Sequence, residues 1–360
     1  MAPQVLKGTN MDFDQGSSIP VPPSPPVGPP SSFNTSLPPV RPRGGSGWKI
    51  LWGILLALSV IANVAMFVML IGVVAIFATG QRSTLAQDVV REGPARNRIA
   101  LVSVQGIIHG QLADDVYRQL KAARQDRRVK GIIVRINSPG GTISASDQIY
   151  REICKYREEV KKPVVAFMQG VAASGGYYTS VACEKIVAEP TTITGSIGVL
   201  SGWFVVQELL ENKLGVLPVT VTSGPKKDWP SSFRKPAPEE LAYMRDKLIT
   251  PAYERFVQIV AEGRKELLSP EAVRQLSDGS IYGAQEALEA KLIDEIGYLD
   301  RAIDLVKSMA KINEAEVVEY RKAFSLSDFL SYRKASLPKL DRNLLYELGT
   351  PEILYLWSAY

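Results

Sequence analysis

Between residues 50 and 78 the chain is apolar without a single charge, interrupted only by small or weakly polar side chains such as Ser59 and Asn63. That run exceeds the ~20 residues a helix needs to cross a hydrocarbon core, so the pattern predicts one tilted membrane-spanning helix. Trp48 and Trp52, with Lys49 between them, suit the membrane–water interface. A cleavable signal peptide has a shorter apolar region nearer the N-terminus and a small-x-small cleavage site, so the segment reads as a retained anchor. Arg41, Arg43 and Lys49 on one side, against Arg82 and Arg91 on the other, put the N-terminus in the cytoplasm and everything after Arg82 outside.

From about residue 98 the period changes to an alternation of strand-like and helix-like stretches. Strands are predicted at 99–108, 129–136, 163–168, 185–188, 218–222 and 315–320. Helices are predicted at 112–124, 144–160, 203–214, from 238 to about 265, and at 269–276, 284–292 and 299–310. Such alternation argues for βαβ units around a parallel sheet. Five segments follow: a disordered Pro-rich tail (1–46), an anchor (47–80), a linker (81–97), an α/β domain (98–310) and a C-terminal extension (311–360). In that extension Leu344-Leu345-Tyr346 and Ile353-Leu354-Tyr355-Leu356-Trp357 are too apolar for a free tail and too short to span, and are expected to pack on a neighbouring subunit.

Composition narrows the chemistry. Acids and bases nearly balance at a net charge of +5, which gives no reason to expect a nucleic-acid partner. Cys154 and Cys183 lack metal-ligand spacing and read as free thiols. No metal site can be built on the single histidine, His109, and no acid is evidently placed to orient it as a base.

Two glycine-bearing turns stand out. Asn137-Ser138-Pro139-Gly140-Gly141-Thr142 closes one strand and opens a helix, and Val171-Ala172-Ala173-Ser174-Gly175-Gly176-Tyr177-Tyr178 repeats that arrangement one strand later. Ligands bind at the carboxyl ends of parallel strands, and paired glycines let backbone N–H groups face a developing oxyanion. Ser174 is then a candidate nucleophile, with Gly141 N–H and Gly175 N–H as its oxyanion hole. The octapeptide alone reads as a plain helix cap, and the other motifs move the reading towards a nucleophile. The base would be a lysine, provided burial leaves its amine neutral. The candidate stretch is Thr222-Ser223-Gly224-Pro225-Lys226-Lys227-Asp228-Trp229, where the two lysines are adjacent and only one can point into a site.

These motifs together resemble the SppA type of signal peptide peptidase, a membrane-anchored serine protease family. The resemblance covers about residues 98 to 310. It rests on the two glycine turns, on Thr194-Gly195-Ser196-Ile197-Gly198-Val199, on Ser223-Gly224-Pro225-Lys226-Lys227-Asp228, and on the block from Asp278-Gly279-Ser280-Ile281-Tyr282 to Gly297. It implies an α/β fold of ClpP/crotonase-like repeated ββα units behind a single transmembrane helix. It further implies Ser174 as nucleophile, Lys227 as base, Ser196 as the hydroxyl that orients the lysine, and Gly141 and Gly175 as oxyanion donors. No cofactor or metal is implied. The expected substrates are hydrophobic signal-peptide fragments left after preprotein processing. The expected partners are the bacterial plasma-membrane bilayer and further copies of the chain, in a ring that shares each site between subunits. Two departures from the family pattern are Lys226, a second amine beside the base, and Ser280 and Gly283 in the late block. The alternatives are a crotonase-fold acyl-CoA enzyme, which has no need of the serine or the lysine, and a non-catalytic membrane scaffold.

Overall fold

A helix that is apolar all round must find an apolar surrounding, and α1 (Ser46–Thr79) has this character. The computed structural model describes residues 46–79, 85–322 and 352–357. The Pro-rich tail before Ser46 and the Leu344-Leu345-Tyr346 stretch lie outside the described residues. At 1.5 Å per residue α1 is about 50 Å long, ample for a bilayer. Its Gly47–Val74 stretch has a mean hydropathy of 2.7, and none of its residues is buried. Within it the Asn63 amide donates to the Ser59 carbonyl (2.7 Å), which satisfies a polar group that lipid could not.

The remaining chain alternates as its pattern predicts. It runs β1 (Leu85–Arg91), β2 (Arg98–Gln105), α2 (Gly110–Gln125), β3 (Val129–Ser138), β4 (Gly140–Thr142), α3 (Ile143–Val160), β5 (Val164–Ala173) and α4 (Gly175–Ser180). Three short strands follow, β6 (Lys185–Ala188), β7 (Ile193–Gly195) and β8 (Leu200–Gly202). Next, α5 (Pro238–Met244), a π-helical stretch (Arg245–Ile249) and α6 (Thr250–Gly263) run end to end as one long helix. Beyond it come α7 (Pro270–Gln275), β9 (Ile281–Gly283), α8 (Ala284–Glu289), β10 (Glu295–Ile296), α9 (Leu299–Ala310), β11 (Glu316–Lys322) and β12 (Glu352–Leu356).

The principal sheet has the order β1-β11-β2-β3-β5-β6-β10 and is parallel from β11 to β10, with β1 antiparallel at the edge. Both faces are covered, so alternate residues of one strand enter different cores. Ala100, Val102, Val104, Ile132, Val134 and Ile136 pack under α2, α3, α4 and α6. Ile99, Leu101, Ile133, Val165 and Phe167 pack against α9. β5 is long enough to change partners. Its first half pairs with β6, and its end, Val171–Ala173, pairs in parallel with β7.

The structure corrects several expectations. Over 203–214 only Gln207–Lys213 is helical, π-helical from Leu209, and no strand forms at 218–222, where Val219 and Val221 face solvent. Part of the expected linker is β1, and β11 of the expected extension is the strand between β1 and β2. Within the 353–357 run, β12 forms a small antiparallel sheet between β4 and β8 of its own chain. Of this apolar run Tyr355 is fully buried, and Leu354, Leu356 and Trp357 are half-buried.

Candidate active site

β5 ends at Ala173 and α4 begins at Gly175, so Ser174 alone makes the turn. Its backbone sits at φ 52°, ψ −115°, a region that side-chain-bearing residues seldom adopt. Such strain costs of order 1–3 kcal/mol and persists only where the surroundings fix it. Here the Ser174 amide donates to the Gly195 carbonyl (2.8 Å), and its own carbonyl accepts from Tyr178 N (2.9 Å). Its side chain makes no capping hydrogen bond, so the helix-cap reading fails. Ser174 is 1% exposed.

β7 brings Ser196 alongside. Ala173 and Gly195 are paired, so Ser174 and Ser196 leave the same strand pair one residue later, and both have positive φ. Ser196 N donates to the Ser280 carbonyl (2.7 Å), which fixes this second turn against the late block.

The two glycine turns meet. A Cβ on Gly175 would lie 2.5 Å from Ser146 Oγ, 3.1 Å from Gly140 Cα and 3.2 Å from Gly141 N. Gly140 has φ +103°, and a Cβ there would lie 2.7 Å from Gly175 N and collide with the Tyr355 carbonyl oxygen. Only glycine allows this approach. β12 supplies that carbonyl. Tyr355 is opposite Gly141, and two positions on, Trp357 N donates to the Pro139 carbonyl (2.8 Å). Hydrogen-bonded pairs recur at every second residue of an antiparallel ladder, so Gly141 N–H donates to Tyr355 C=O. The Tyr355 carbonyl therefore sits where the two glycine turns meet, bonded to Gly141 N–H.

The Tyr355 side chain is fully buried beside this point. Its ring stacks on Tyr178 (centroids 5.0 Å, 27° between planes) and meets Phe256 at 4.7 Å, and its hydroxyl donates to the Ala252 carbonyl (2.8 Å). Tyr178 donates in turn to Asp147 (2.5 Å). Burial first, then that bond to Asp147, pushes the Tyr178 phenol far above its ordinary range. Sequence reasoning missed this aromatic seat, although the apolar 353–357 run was its signal.

The lysines lie apart from the serine among the described contacts. Lys226 and Lys227 are both exposed, and neither hydrogen-bonds Ser174 or Ser196 among the described residues. They differ from each other. The Lys226 amine lies 4.4 Å from the centre of the Tyr243 ring and 5.6 Å from that of Trp229, a cation–π seat, whereas Lys227 has no such seat. His109 caps α2, with its Nδ1 accepting from Leu112 N (3.1 Å). Cys154 and Cys183 are free thiols, and burial pushes the Cys183 thiol well up.

A strained serine at a strand–helix turn, beside a second glycine turn in a mainly parallel sheet, defines an α/β fold of the Clp protease kind. The Clp protease family model matches residues 74–192, and the model of peptidase family S49 matches residues 157–313. Over 248 residues the chain is 37% identical to an Enterococcus faecium protein provisionally named signal peptide peptidase SppA, covering 66% of this chain and 71% of that one. It is 34% identical to the chloroplastic serine protease SPPA of Arabidopsis thaliana over 74% of this chain and 39% of that one. Against protease 4 of Salmonella typhi the identity is 35%, over 60% of this chain and 34% of the relative. The chain belongs to peptidase family S49 and is a serine-type peptidase of the SppA kind.

Proposed function

We propose that this chain is a membrane-anchored endopeptidase in which Ser174 attacks the peptide carbonyl and Lys227 takes its proton. The observation that carries the reading is the Ser174 turn: a strained backbone leaves the hydroxyl free of any capping bond where the Gly140-Gly141 and Gly175 turns meet beside the Tyr355 carbonyl. Peptide-bond attack converts a carbonyl into an oxyanion, and donors fixed in advance stabilise that charge without reorganisation. Gly141 and Gly175 are those donors in this reading. Lys227, as a neutral amine, accepts the serine proton during attack and later delivers it to the leaving amine. Ser196, opposite Ser174 where the paired strands end, orients that amine.

The substrate is an extended, apolar peptide, of the class left when signal sequences are released. Support comes from β12, an extended segment that pairs with β4 on one side and β8 on the other and buries an aromatic side chain beside the serine. A substrate taking this course adds a strand through main-chain hydrogen bonds and fills a pocket with one side chain, and it displaces β12 to do so. In this reading α1 anchors the enzyme in a bacterial plasma membrane, with the N-terminus cytoplasmic and residues 98–310 forming the protease domain outside. The exposed position of Lys227 supports a ring in which the lysine of one copy serves the serine of its neighbour.

Hydrolysis of an apolar reporter peptide tests the dyad. Ser174→Ala and Lys227→Ala should each lose at least about 10³-fold in kcat, since members of a catalytic unit fail together. Co-assembled rings of the two variants should regain part of the activity, because some sites then hold both intact residues. Verified mixed rings with no recovery would rule out the shared site, and parental activity in Lys227→Ala would remove the base.

A further inference from the structure

Lys227 is flanked on both sides by residues tied down to one helix. Before it, the Lys226 amine rests over Tyr243 of α5 and over Trp229. After it, Asp228 Oδ2 accepts from Arg234 Nε (3.1 Å), and Arg234 reaches on to Glu240 Oε2 of α5 through a second guanidinium nitrogen (2.6 Å). Trp229 meets Tyr243 edge-on, with ring centres 5.7 Å apart. The Lys227 amide donates to the Gly224 carbonyl (3.1 Å), so the residue sits in a closed turn. Of these neighbours Lys227 alone has no side-chain partner among the described residues. Glu240 is fully buried, and its other carboxylate oxygen has no partner among the described residues, so Arg234 is the cation that compensates it. The bonds to Asp228 and Glu240 hold the Arg234 guanidinium above its already high range, so the fork stays charged throughout the working pH.

We propose that Arg234 is a positioning residue for the Lys227 amine: by forking between Asp228 and Glu240 it fixes the turn to α5 and presents Lys227 outward. A planar guanidinium holds two carboxylates in set directions, and a lysine at 234, a point charge on a flexible stem, cannot. The two aromatic contacts of Lys226 serve the same end, which is why the adjacent amines are not interchangeable. A reacting group displaced by about 1 Å loses on the order of 100-fold in rate, so modest loosening of this turn is enough to matter.

The inference rests on Lys227 being the base. The full-length protein in detergent is compared as parent, Arg234→Lys, Lys227→Ala and the double variant. The readouts are the rate at which a fluorophosphonate labels serine, and kcat and KM for a reporter peptide. Arg234→Lys should label about 10- to 100-fold more slowly and lose kcat to match, with KM within about threefold. Because Arg234 acts through Lys227, the double variant should be no slower than Lys227→Ala alone. The paired change Arg234→Gln with Glu240→Gln, which removes the buried charge together with its partner, should show the same loss and serves if Arg234→Lys folds poorly. Parental rates in Lys227→Ala would remove the base and this inference with it. Low rates in Lys227→Ala beside parental rates in Arg234→Lys and in the glutamine pair, or a double variant slower than Lys227→Ala, would overturn the positioning role alone.

Discussion

Ser174 stores strain that its neighbours maintain. At φ 52°, ψ −115° a glycine would be at ease, whereas serine and alanine are not. Replacing Ser174 by Ala or by Gly removes the same hydroxyl, so the two variants differ mainly in backbone fit. Ser174→Gly should be the more stable of the pair by about 1 kcal/mol, the relief of 1–3 kcal/mol being offset by the larger entropy glycine loses on folding. Thermal unfolding of the two detergent-solubilised variants measures this. Equal stability would mean that the turn carries no strain worth the name. A residue that costs stability where glycine would not is what a functional position predicts.

Among the elements, β12 does the least expected work. Tyr355→Ala empties a site closed by Tyr178 and Phe256, and should cost about 3–5 kcal/mol of stability. Tyr355→Phe keeps the ring and loses one hydrogen bond to Ala252, so it should cost only about 1 kcal/mol. Similar losses for the two would show that the hydroxyl, not ring packing, holds the strand. The C-cap of α2 offers a test by pH. Burial alone would raise the Asp126 carboxyl, but hydrogen bonds from the Arg128 side chain and amide and from Arg98 prevail and lower it to about 2, against an ordinary 3.8. A depressed carboxyl contributes stability above its unfolded value and loses it as pH falls from about 4 towards about 2. Asp126→Asn should therefore flatten the acid limb of the stability profile in that window, and an unchanged limb would refute the assignment. Much of this layer was legible in the chain. The strand at 185–188 and the helix at 299–310 have the predicted bounds, because each carries a clear period and a definite stop. Residues 203–222 misled because an apolar pattern says that a face wants cover, not that this chain provides it. The glycine turns revealed where Ser174 lies, whereas the clamp of Arg234 on Asp228 and Glu240 depends on side-chain directions that no spacing encodes.

At the scale of the whole molecule, an apolar helix precedes an α/β peptidase domain of family S49. A protein starting near Arg82 should be soluble without detergent, while the full chain should require it, since the apolar residues of Gly47–Val74 are exposed. Protease added to spheroplasts should digest the domain after α1 and spare the Pro-rich tail, and the opposite pattern would reverse the proposed topology. The central claim is that one serine, at one strained turn, is the nucleophile. It is tested most directly by treating the full-length enzyme with a fluorophosphonate and mapping the modified peptide. The account predicts a single covalent adduct on Ser174, absent from Ser174→Ala and slowed in Lys227→Ala. An adduct on another serine, or a correctly folded and proteolytically active Ser174→Ala, would contradict it.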